Sequence, residues 1–367
     1  MYGATGIPVF AHYLFQFAFA DCASTICSGA MVGRTRFIGD VLYSIGVSGF
    51  IYPILGHWVW GPDGFLYMMG TEGHFLPHLG AYFHDFAGST VVHSIGGWIA
   101  IAGAICLGPR LGRKFKRDGG GPMLPHDLTI AVVGGLILWF GWYGFNPCST
   151  LSIMDSSGVG RVAMNTTLAA SAGGIAACLI GLMRTKTWDA AYLVNGFLAG
   201  LVSITAPCYW VSDIGSVILG AVGGVLVVFA MDLLEHLRID DPVGAWPVHG
   251  VCGIWGTLSL GLFASGTYQA TGSSPTGIPI ITPGSPEALT GLFYGGGAKL
   301  LIAQCVGSAI ICTVTFVSAM IMFKALNVVN LLRVSKEGEL LGLDIDQHGI
   351  SAYPEYQIVP AAMAGGM

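Results

Sequence analysis

Stretches of about 19 residues with almost no charge recur along this chain and restrict its possible folds more than any other feature. A helix of that length crosses the roughly 30 Å of hydrocarbon in a bilayer. Only 10% of the residues are charged, 53% are hydrophobic and the mean hydropathy is +0.70. The chain is therefore predicted to be an all-α polytopic membrane protein with nine transmembrane helices, at 7–31, 37–60, 87–108, 127–147, 162–183, 189–207, 213–233, 245–266 and 298–325.

Lysine and arginine mark one side of the predicted membrane protein, because positively charged loops stay in the cytoplasm. They follow alternate predicted helices, at Arg34, Arg110, Arg184, Arg238 and Arg333. The connections 61–86, 208–212 and 267–297 contain neither residue type. The pattern predicts a multi-pass protein of the cell membrane with its N-terminus outside. One transmembrane domain is expected over 1–330 and a cytoplasmic C-terminal tail over 331–367.

No catalytic, nucleotide-binding or metal-binding pattern accompanies these helices. The sequence has no Walker loop and no glycine fingerprint after a strand, which are motifs that hold nucleotides. Its nine cysteines form no metal or redox pattern. Seven of them lie singly within predicted helices and are interpreted as small buried hydrophobic residues: Cys22, Cys27, Cys106, Cys178, Cys252, Cys305 and Cys312. The 56 glycines predict close helix–helix packing in lipid. The chain is therefore predicted not to be an enzyme, not to bind nucleic acid, and to hold no cofactor or metal.

Two histidines, His93 and His249, lie within uncharged predicted helices, and each stands eight residues after an aspartate, Asp85 or Asp241. An ionisable side chain in hydrocarbon costs several kcal/mol unless it is paired or lines a cavity. Two neutral imidazoles can together offer a hydrogen-bond donor and an acceptor. The alternative is a pair of structural histidines bonded to carbonyl groups. The repeated spacing favours a transporter of two related halves, with its site where the halves meet.

Five motifs in register across the chain carry a resemblance to a known family. They are Phe-Gln-Phe-Ala-Phe-Ala at 15–20, Tyr-Pro-Ile-Leu-Gly-His-Trp-Val-Trp at 52–60, the Asp85–His93 segment, Gly-Trp-Tyr-Gly-Phe-Asn-Pro-Cys-Ser at 141–149, and Asp-Asp-Pro at 240–242 with His-Gly-Val-Cys-Gly at 249–253. In this order and spacing they resemble the ammonium transporter (Amt/Mep/Rh) family, and its Amt branch in particular.

The resemblance implies a fold and a function. The family fold has eleven transmembrane helices in a pseudo-two-fold inverted repeat, and this chain resembles that fold entered at its third helix, so the first half is expected to be incomplete. The implied function is ammonium transport, with ammonium as substrate, a homotrimer in the lipid bilayer and a PII-class regulator at the cytoplasmic face. The alternatives are an ammonium sensor on the same fold or an inactive N-terminally truncated fragment.

The resemblance also assigns roles to residues around a pore. His93 and His249 are implied to be twin histidines that share a proton at the pore midpoint. Phe19 and Phe145 are implied to be the stacked gate at the outer mouth. The remaining implied roles are ammonium recruitment by Trp60, Ser149 and Asp85, support of the pore by Trp142 and Tyr52, and regulation by a tail carrying Asp344, His348 and Gly349. For Asp85 an N-cap on the following helix is a second role, because aspartate accepts bonds from the first free amides.

Some residues depart from the family pattern or fall outside it. Gly33 stands where the family carries glutamate, so a cytoplasmic ion pair near Arg34 is expected to be lost. Asp21 lies two residues past Phe19, which places it on the far side of the helix, where it is expected to face a neighbouring helix. The outer loop carries three histidines without an accompanying cysteine, interpreted as solvated loop residues, at His74, His78 and His84.

Overall fold

The computed structural model describes residues 7–151, 153, 155–268 and 288–354. Within these ranges nine helical rods fall at the nine predicted positions. They are α1 (Val9–Met31), α2 (Phe37–Trp60), α3 (Ser89–Leu107), α4 (Leu128–Phe145), α5 (Ser156–Thr185), α6 (Ala190–Thr205), α7 (Asp213–Leu237), α8 (246–263) and α9 (Lys299–Val328). Two short helices, α10 (Lys336–Leu341) and α11 (Leu343–His348), form the tail.

Hydropathy and length single out six of these rods as able to cross a membrane: α2, α3, α4 with the turn that follows it, α5, α7 and α9. A seventh, α6, is apolar but only 16 residues long. The described residues contain no β-strand beyond two isolated bridges, Thr35 with Arg333 and Ser265 with Thr290. The prediction of an all-α polytopic membrane protein is therefore confirmed.

Polar side chains begin the four consecutive helices α4 to α7. In each case the N-cap side chain accepts a hydrogen bond from a backbone N–H of the first turn, at Asp127, Asp155, Asp189 and Ser212. Such a bond satisfies one of the amides that a helix start leaves free, and its loss costs roughly 1 kcal/mol. The local sequence therefore fixes where these apolar stretches start.

Glycines hold α5, α6 and α7 against one another. A Cβ on Gly224 of α7 would collide with the backbone of Gly173 on α5, and one on Gly220 would collide with the carbonyl oxygen of Ala169. A Cβ on Gly200 of α6 would meet that same oxygen. The backbones approach this closely only because the side chains are absent, which is the packing expected of helices in lipid.

The helix α3 lies at the centre of the bundle and α4 at its edge. In their apolar windows, 83% of the residues of α3 are buried but only 11% of those of α4. Helix α3 crosses α8 where Gly97 contacts the backbone of His249 and Gly250. This crossing brings the two histidine-bearing segments together.

Backbone and carboxylate bonds join the tail to the end of the bundle where α1 and α3 finish. The amide of Arg36 donates to Leu332 O at 2.9 Å, and Val334 N donates to Arg34 O at 3.1 Å. The Glu339 carboxylate accepts from Leu111 N at 2.6 Å and from the Arg333 guanidinium at 2.8 Å. These contacts bring the tail against the connections that follow α1 and α3.

The structure explains the glycine that departs from the family pattern. Gly33 has φ +83°, in the left-handed region that a glutamate enters only with strain. The neighbouring Arg34 is fully buried and donates to four carbonyl oxygens, those of Ala30, Val32, Gly108 and Asp240. The sequence predicted that Arg34 loses an ion pair. In the structure, four backbone carbonyl groups bind its guanidinium.

Three predictions about individual residues are wrong. His84 is buried, because its backbone exchanges hydrogen bonds with the side chain of Gln304, 220 positions away in sequence. Asp21 lies opposite Phe19 but is exposed on the outside of α1, where no helix among the described residues covers it. Cys305 is exposed on α9 and is not a buried hydrophobic residue.

We expect Gly224→Ala to destabilise the bundle by roughly 1–3 kcal/mol, because its methyl group would force α5 and α7 apart. Thermal unfolding of the detergent-purified protein measures the change. Gly160→Ala on α5, where an added Cβ meets nothing within 4 Å, is the matched control and should leave the melting temperature unchanged. Equal melting temperatures for both variants would contradict the close-packing account.

Candidate functional site

A buried carboxylate organises the start of α3. Asp85 Oδ1 accepts from the amides of Gly88 at 2.8 Å and Ser89 at 3.0 Å, and Oδ2 accepts from Thr90 at 2.8 Å and Val91 at 2.9 Å. Four charge-assisted bonds thus satisfy the free amides of this helix start. The chain turns through Gly88 at φ +114°, a conformation that favours glycine.

The start of α8 repeats the same construction. Asp241 Oδ1 accepts from Ala245 N at 3.0 Å and Oδ2 accepts from Trp246 N at 2.8 Å. Gly244, the third residue after the aspartate, has φ +73°. Both halves therefore share the pattern Asp-x2-Gly-x4-His. Sequence reasoning found the aspartate and the histidine but missed the glycine, although its spacing could have been read directly.

Each histidine lies in a short π-helical segment that follows its cap. His93 belongs to the segment Ser89–Ser94 and His249 to Trp246–Val251. A π turn holds an extra residue, which changes the direction of the side chains, and such turns are frequent at functional sites. The Nδ1 atoms of the two histidines are 3.1 Å apart, and the ring planes are 25° from parallel.

The contact between the two Nδ1 atoms determines what the pair offers a guest. One Nδ1 must carry the proton and the other must accept it, so in neutral rings one Nε2 is an acceptor and the other a donor. His93 Nε2 is buried and has no hydrogen-bond partner among the described residues. The pair can therefore bind a small neutral molecule that both donates and accepts hydrogen bonds.

Aromatic rings line one side of the histidine pair. The His93 ring stacks on Trp142 with a centroid distance of 5.0 Å and on Phe145 at 5.3 Å. Trp142 Nε1 donates to Thr205 Oγ1 at 3.0 Å, which fixes the indole. Phe145 in turn stacks on Phe19 at 4.2 Å. A continuous column of rings therefore runs from the histidines to Phe19.

Trp60 and Ser149 stand at the far end of this column. The Trp60 ring lies edge-on to Phe19 at 5.8 Å, and its indole donates to Asp85 O at 2.7 Å. The Ser149 hydroxyl donates to Phe145 O at 2.8 Å, so its oxygen keeps its lone pairs as acceptors. Aromatic faces beside a hydroxyl acceptor suit a cation that carries N–H groups.

Of the pore-support residues, Trp142 belongs to this column, and Tyr52 lies in the same apolar cluster as Phe19. Tyr52 is buried in α2, and its hydroxyl has no partner among the residues described. In the tail, Asp344 accepts from Ala352 N at 2.9 Å and the His348 ring contacts Phe37 at 5.0 Å. Gly349 ends α11 at φ +70°. The tail residues thus contact the start of α2 and one another.

Burial acts on the charge of Asp85. It raises the pKa of this carboxyl to about 6, and the four amide bonds act in the opposite direction.

No group of three or more histidine, cysteine or carboxylate side chains suited to a metal ion occurs in the described part of the chain. The site that the geometry offers therefore consists of aromatic faces, a hydroxyl oxygen and a histidine pair.

Comparisons with known proteins agree with this geometry. The profile of the Ammonium Transporter Family matches residues 2–353. The chain is 42% identical to ammonium transporter Amt2 of Archaeoglobus fulgidus over 361 residues, which cover 96% of this chain and 73% of the relative. It is 37% identical to ammonium transporter 1 member 2 of Oryza sativa subsp. japonica over 357 residues, which cover 94% of this chain and 69% of the relative.

Solved structures share the fold. A sensor Amt protein superposes with a TM-score of 0.77 at 36% identity, over 92% of this chain and 76% of that one. Mep2 of Saccharomyces cerevisiae superposes with a TM-score of 0.77 at 28% identity, over 91% of this chain and 69% of that one.

We expect Gly88→Ala to lower the stability of the chain by about 1–3 kcal/mol, because the substitution strains a residue at φ +114° and its Cβ would collide with Val92. Thermal unfolding in detergent provides the measurement. Gly49→Ala, where nothing lies within 4 Å of the added atom, is the control and should cost little. A Gly88 variant as stable as the Gly49 variant would show that the capped turn does not need glycine.

Proposed function

Because this chain belongs to the ammonium transporter family, its function is ammonium transport, and we propose that it recruits NH4+ outside and passes it as NH3. The observation that carries this mechanism is the direct Nδ1–Nδ1 contact between His93 and His249 behind a closed pair of phenylalanines. The site residues Phe19, Phe145, Trp60 and Ser149 then act in sequence along one column of contacts.

Recruitment uses aromatic faces and one oxygen. Trp60 and Phe19 attract the cation through their ring faces, which stabilises it by up to about 2 kcal/mol where water is excluded. Ser149 accepts one ammonium hydrogen, since its own proton is donated to Phe145 O. The negative charge of Asp85 favours a cation at this mouth without contacting it, because its oxygens are occupied by amides.

Deprotonation separates ammonium from other cations of similar size. An unpaired charge in a low-dielectric pore carries a large desolvation cost. Ammonium removes that cost by giving one proton to water at the mouth, which leaves neutral ammonia, whereas potassium has no proton to give. The stacked rings of Phe19 and Phe145 leave no polar group to replace the water shell of an ion, so the neutral form passes.

The histidine pair receives the neutral molecule. Ammonia donates to the ring nitrogen that is free as an acceptor and accepts from the ring N–H of the partner histidine. The shared proton between the two Nδ1 atoms allows the donor and acceptor roles to exchange, which is the relay that we propose.

Assembly and orientation complete the proposal. The outward exposure of α4 supports packing against other copies of the chain, as a homotrimer. Arginines at the end where α1 and α3 finish support a cytoplasmic location for that end, and hence an external N-terminus. The tail carrying Asp344, His348 and Gly349 lies against this end, where a PII-class regulator would act.

The histidine relay is tested by uptake in cells that lack their own ammonium carriers. We expect the His93→Ala, His249→Ala double variant to lose at least about tenfold of its saturable, selective ammonium uptake, a barrier increase of about 1.4 kcal/mol. His236→Ala, at the exposed end of α7, is the control and should transport normally. Unchanged uptake in the double variant would exclude the relay. Ligand binding without flux in the unaltered protein would point to a sensor.

The charge at the outer mouth predicts a pH dependence. As the pH falls from about 7 to about 5, Asp85 takes up a proton because burial raises its pKa to about 6, and the mouth loses its negative charge. We expect the KM for ammonium to rise roughly threefold over this range. Ammonium uptake by membrane vesicles at fixed internal pH measures the KM at each external pH.

Two variants sharpen the pH experiment. Asp85→Asn should show a high KM that no longer changes with pH, while Asp63→Asn, on the exposed outer loop, should behave like the unaltered protein. A KM that is constant in the unaltered protein, or that changes equally in Asp85→Asn, would rule out Asp85 as the titrating group.

A further inference from the structure

The segment that leads into Asp85 has no regular secondary structure, so its buried backbone groups need partners elsewhere in the chain. Phe83 N donates to the backbone oxygen of Leu66 at 3.4 Å. His84 differs, because both its N–H and its C=O bind one side chain, that of Gln304 near the start of α9. A single side-chain amide therefore holds the residue that immediately precedes the capping aspartate.

The Gln304 amide uses each of its polar atoms. Its Oε1 accepts from His84 N at 2.8 Å, and its Nε2 donates to His84 O at 2.6 Å and to Thr257 O at 3.1 Å. Only this orientation of the amide fits, because the NH2 group faces two carbonyl oxygens and the oxygen faces an N–H group. All three residues are buried, so water has no access to the bonded groups. The amide therefore ties α9 and α8 to the segment that enters α3.

The residue held by this amide is joined to two parts of the proposed recruitment site. Its neighbour Asp85 caps α3 through four amides, and the Asp85 backbone oxygen accepts the indole N–H of Trp60 at 2.7 Å. Through α8, Thr257 Oγ1 lies 2.5 Å from the hydroxyl of Thr90, whose amide is one of those four. A shift of His84 would therefore move both the capping carboxylate and the acceptor of the Trp60 indole.

A contact one turn farther along α9 supports the same alignment. A Cβ on Gly307 would lie 2.1 Å from the Phe83 ring, so this ring rests on the α9 backbone only because Gly307 has no side chain. Packing of this kind sets how closely the segment approaches α9. The directional hydrogen bonds of Gln304 set its position along the helix.

We propose that Gln304 is a positioning residue for ammonium recruitment, whose amide holds His84 so that Asp85 and Trp60 keep the arrangement that attracts the cation. This inference rests on the recruitment site proposed above. Among the described residues, none of the Gln304 hydrogen bonds reaches the histidine pair. Its role therefore concerns the binding of ammonium at the mouth and not the passage of ammonia along the pair.

Ammonium uptake by membrane vesicles that contain Gln304→Met tests this role. Methionine has a similar length but offers no donor and only a weak acceptor. We expect the KM for ammonium to rise at least about tenfold while the maximal rate per molecule stays within about threefold, because recruitment is weakened and the relay is intact. Thr315→Val is the control and should leave the KM unchanged, since it removes a buried α9 hydroxyl that has no partner among the described residues.

Two kinetic results would overturn the proposal. One is a KM in Gln304→Met equal to that of Thr315→Val. The other is a fall in the maximal rate as large as the rise in KM, which would indicate general damage to the bundle.

A double-variant cycle shows whether Gln304 acts through Asp85. Asp85→Asn alone should raise the KM, and Gln304→Met added to it should change the KM by less than about twofold, because the arrangement that the amide holds is already lost. Effects of the two substitutions that multiply would overturn the proposal.

Hydrogen exchange of the full chain in lipid nanodiscs separates this inference from the transport mechanism. The amides of residues 88–91 should exchange at least about tenfold faster in Gln304→Met than in Thr315→Val, whether or not the chain carries ammonium. Equal exchange would overturn the link between Gln304 and the cap. Faster exchange in the variant, with no uptake by the unaltered chain, would overturn the proposed function and keep the positioning of the cap. Gln304→Asn, whose amide is one methylene shorter, replaces Gln304→Met in all three assays if thermal unfolding shows that the methionine variant is not folded.

Discussion

The bonds between two aspartates, Asp85 and Asp241, and the backbone amides of the helices that follow them are the interaction on which the rest of the site depends. A carboxylate in a buried position is tolerated only when its lone pairs are satisfied. Asp85 achieves this with four amides and Asp241 with those of Ala245 and Trp246. Each cap is followed within eight residues by a histidine, so the caps fix where α3 and α8 begin and hence the depth at which His93 and His249 meet.

The lack of charged groups among the described contacts of the column is the second constraint, and it follows from the same physics. Between the mouth at Trp60 and the histidine pair, the described contacts involve aromatic rings, hydroxyls and neutral imidazoles. In the proposed mechanism, a site built this way stabilises a cation only at its mouth, where Asp85 supplies the field. Farther in, it can stabilise only a neutral hydrogen-bonding molecule. The two requirements together match a substrate that changes its charge by releasing a proton.

The sequence predicted features that depend on local composition and missed those that depend on distant partners. Nine helices could be located because hydrocarbon imposes one length and one polarity on every rod. The pairing of His93 with His249 was implied by the resemblance to the family, while the repeated aspartate spacing indicated two related halves. The π turns could not, since they differ from α-helix by a single residue whose cost is met by tertiary contacts. The burial of His84 was equally hidden, because Gln304, its partner, lies on another helix far along the chain.

The two caps are related by the repeat but differ in their surroundings, and this difference gives the site a direction. Burial raises the pKa of Asp241, and its backbone amide bonds and the nearby guanidinium of Arg34 act in the opposite direction. The neighbouring Asp240 is paired with Arg110. Only amides act against burial at Asp85. The Asp85 cap therefore has no neighbouring cation and lies beside the proposed recruitment site, whereas the Asp241 cap has arginines beside it. Within one repeated framework, the proposed mechanism therefore attracts a cation at the Asp85 end only.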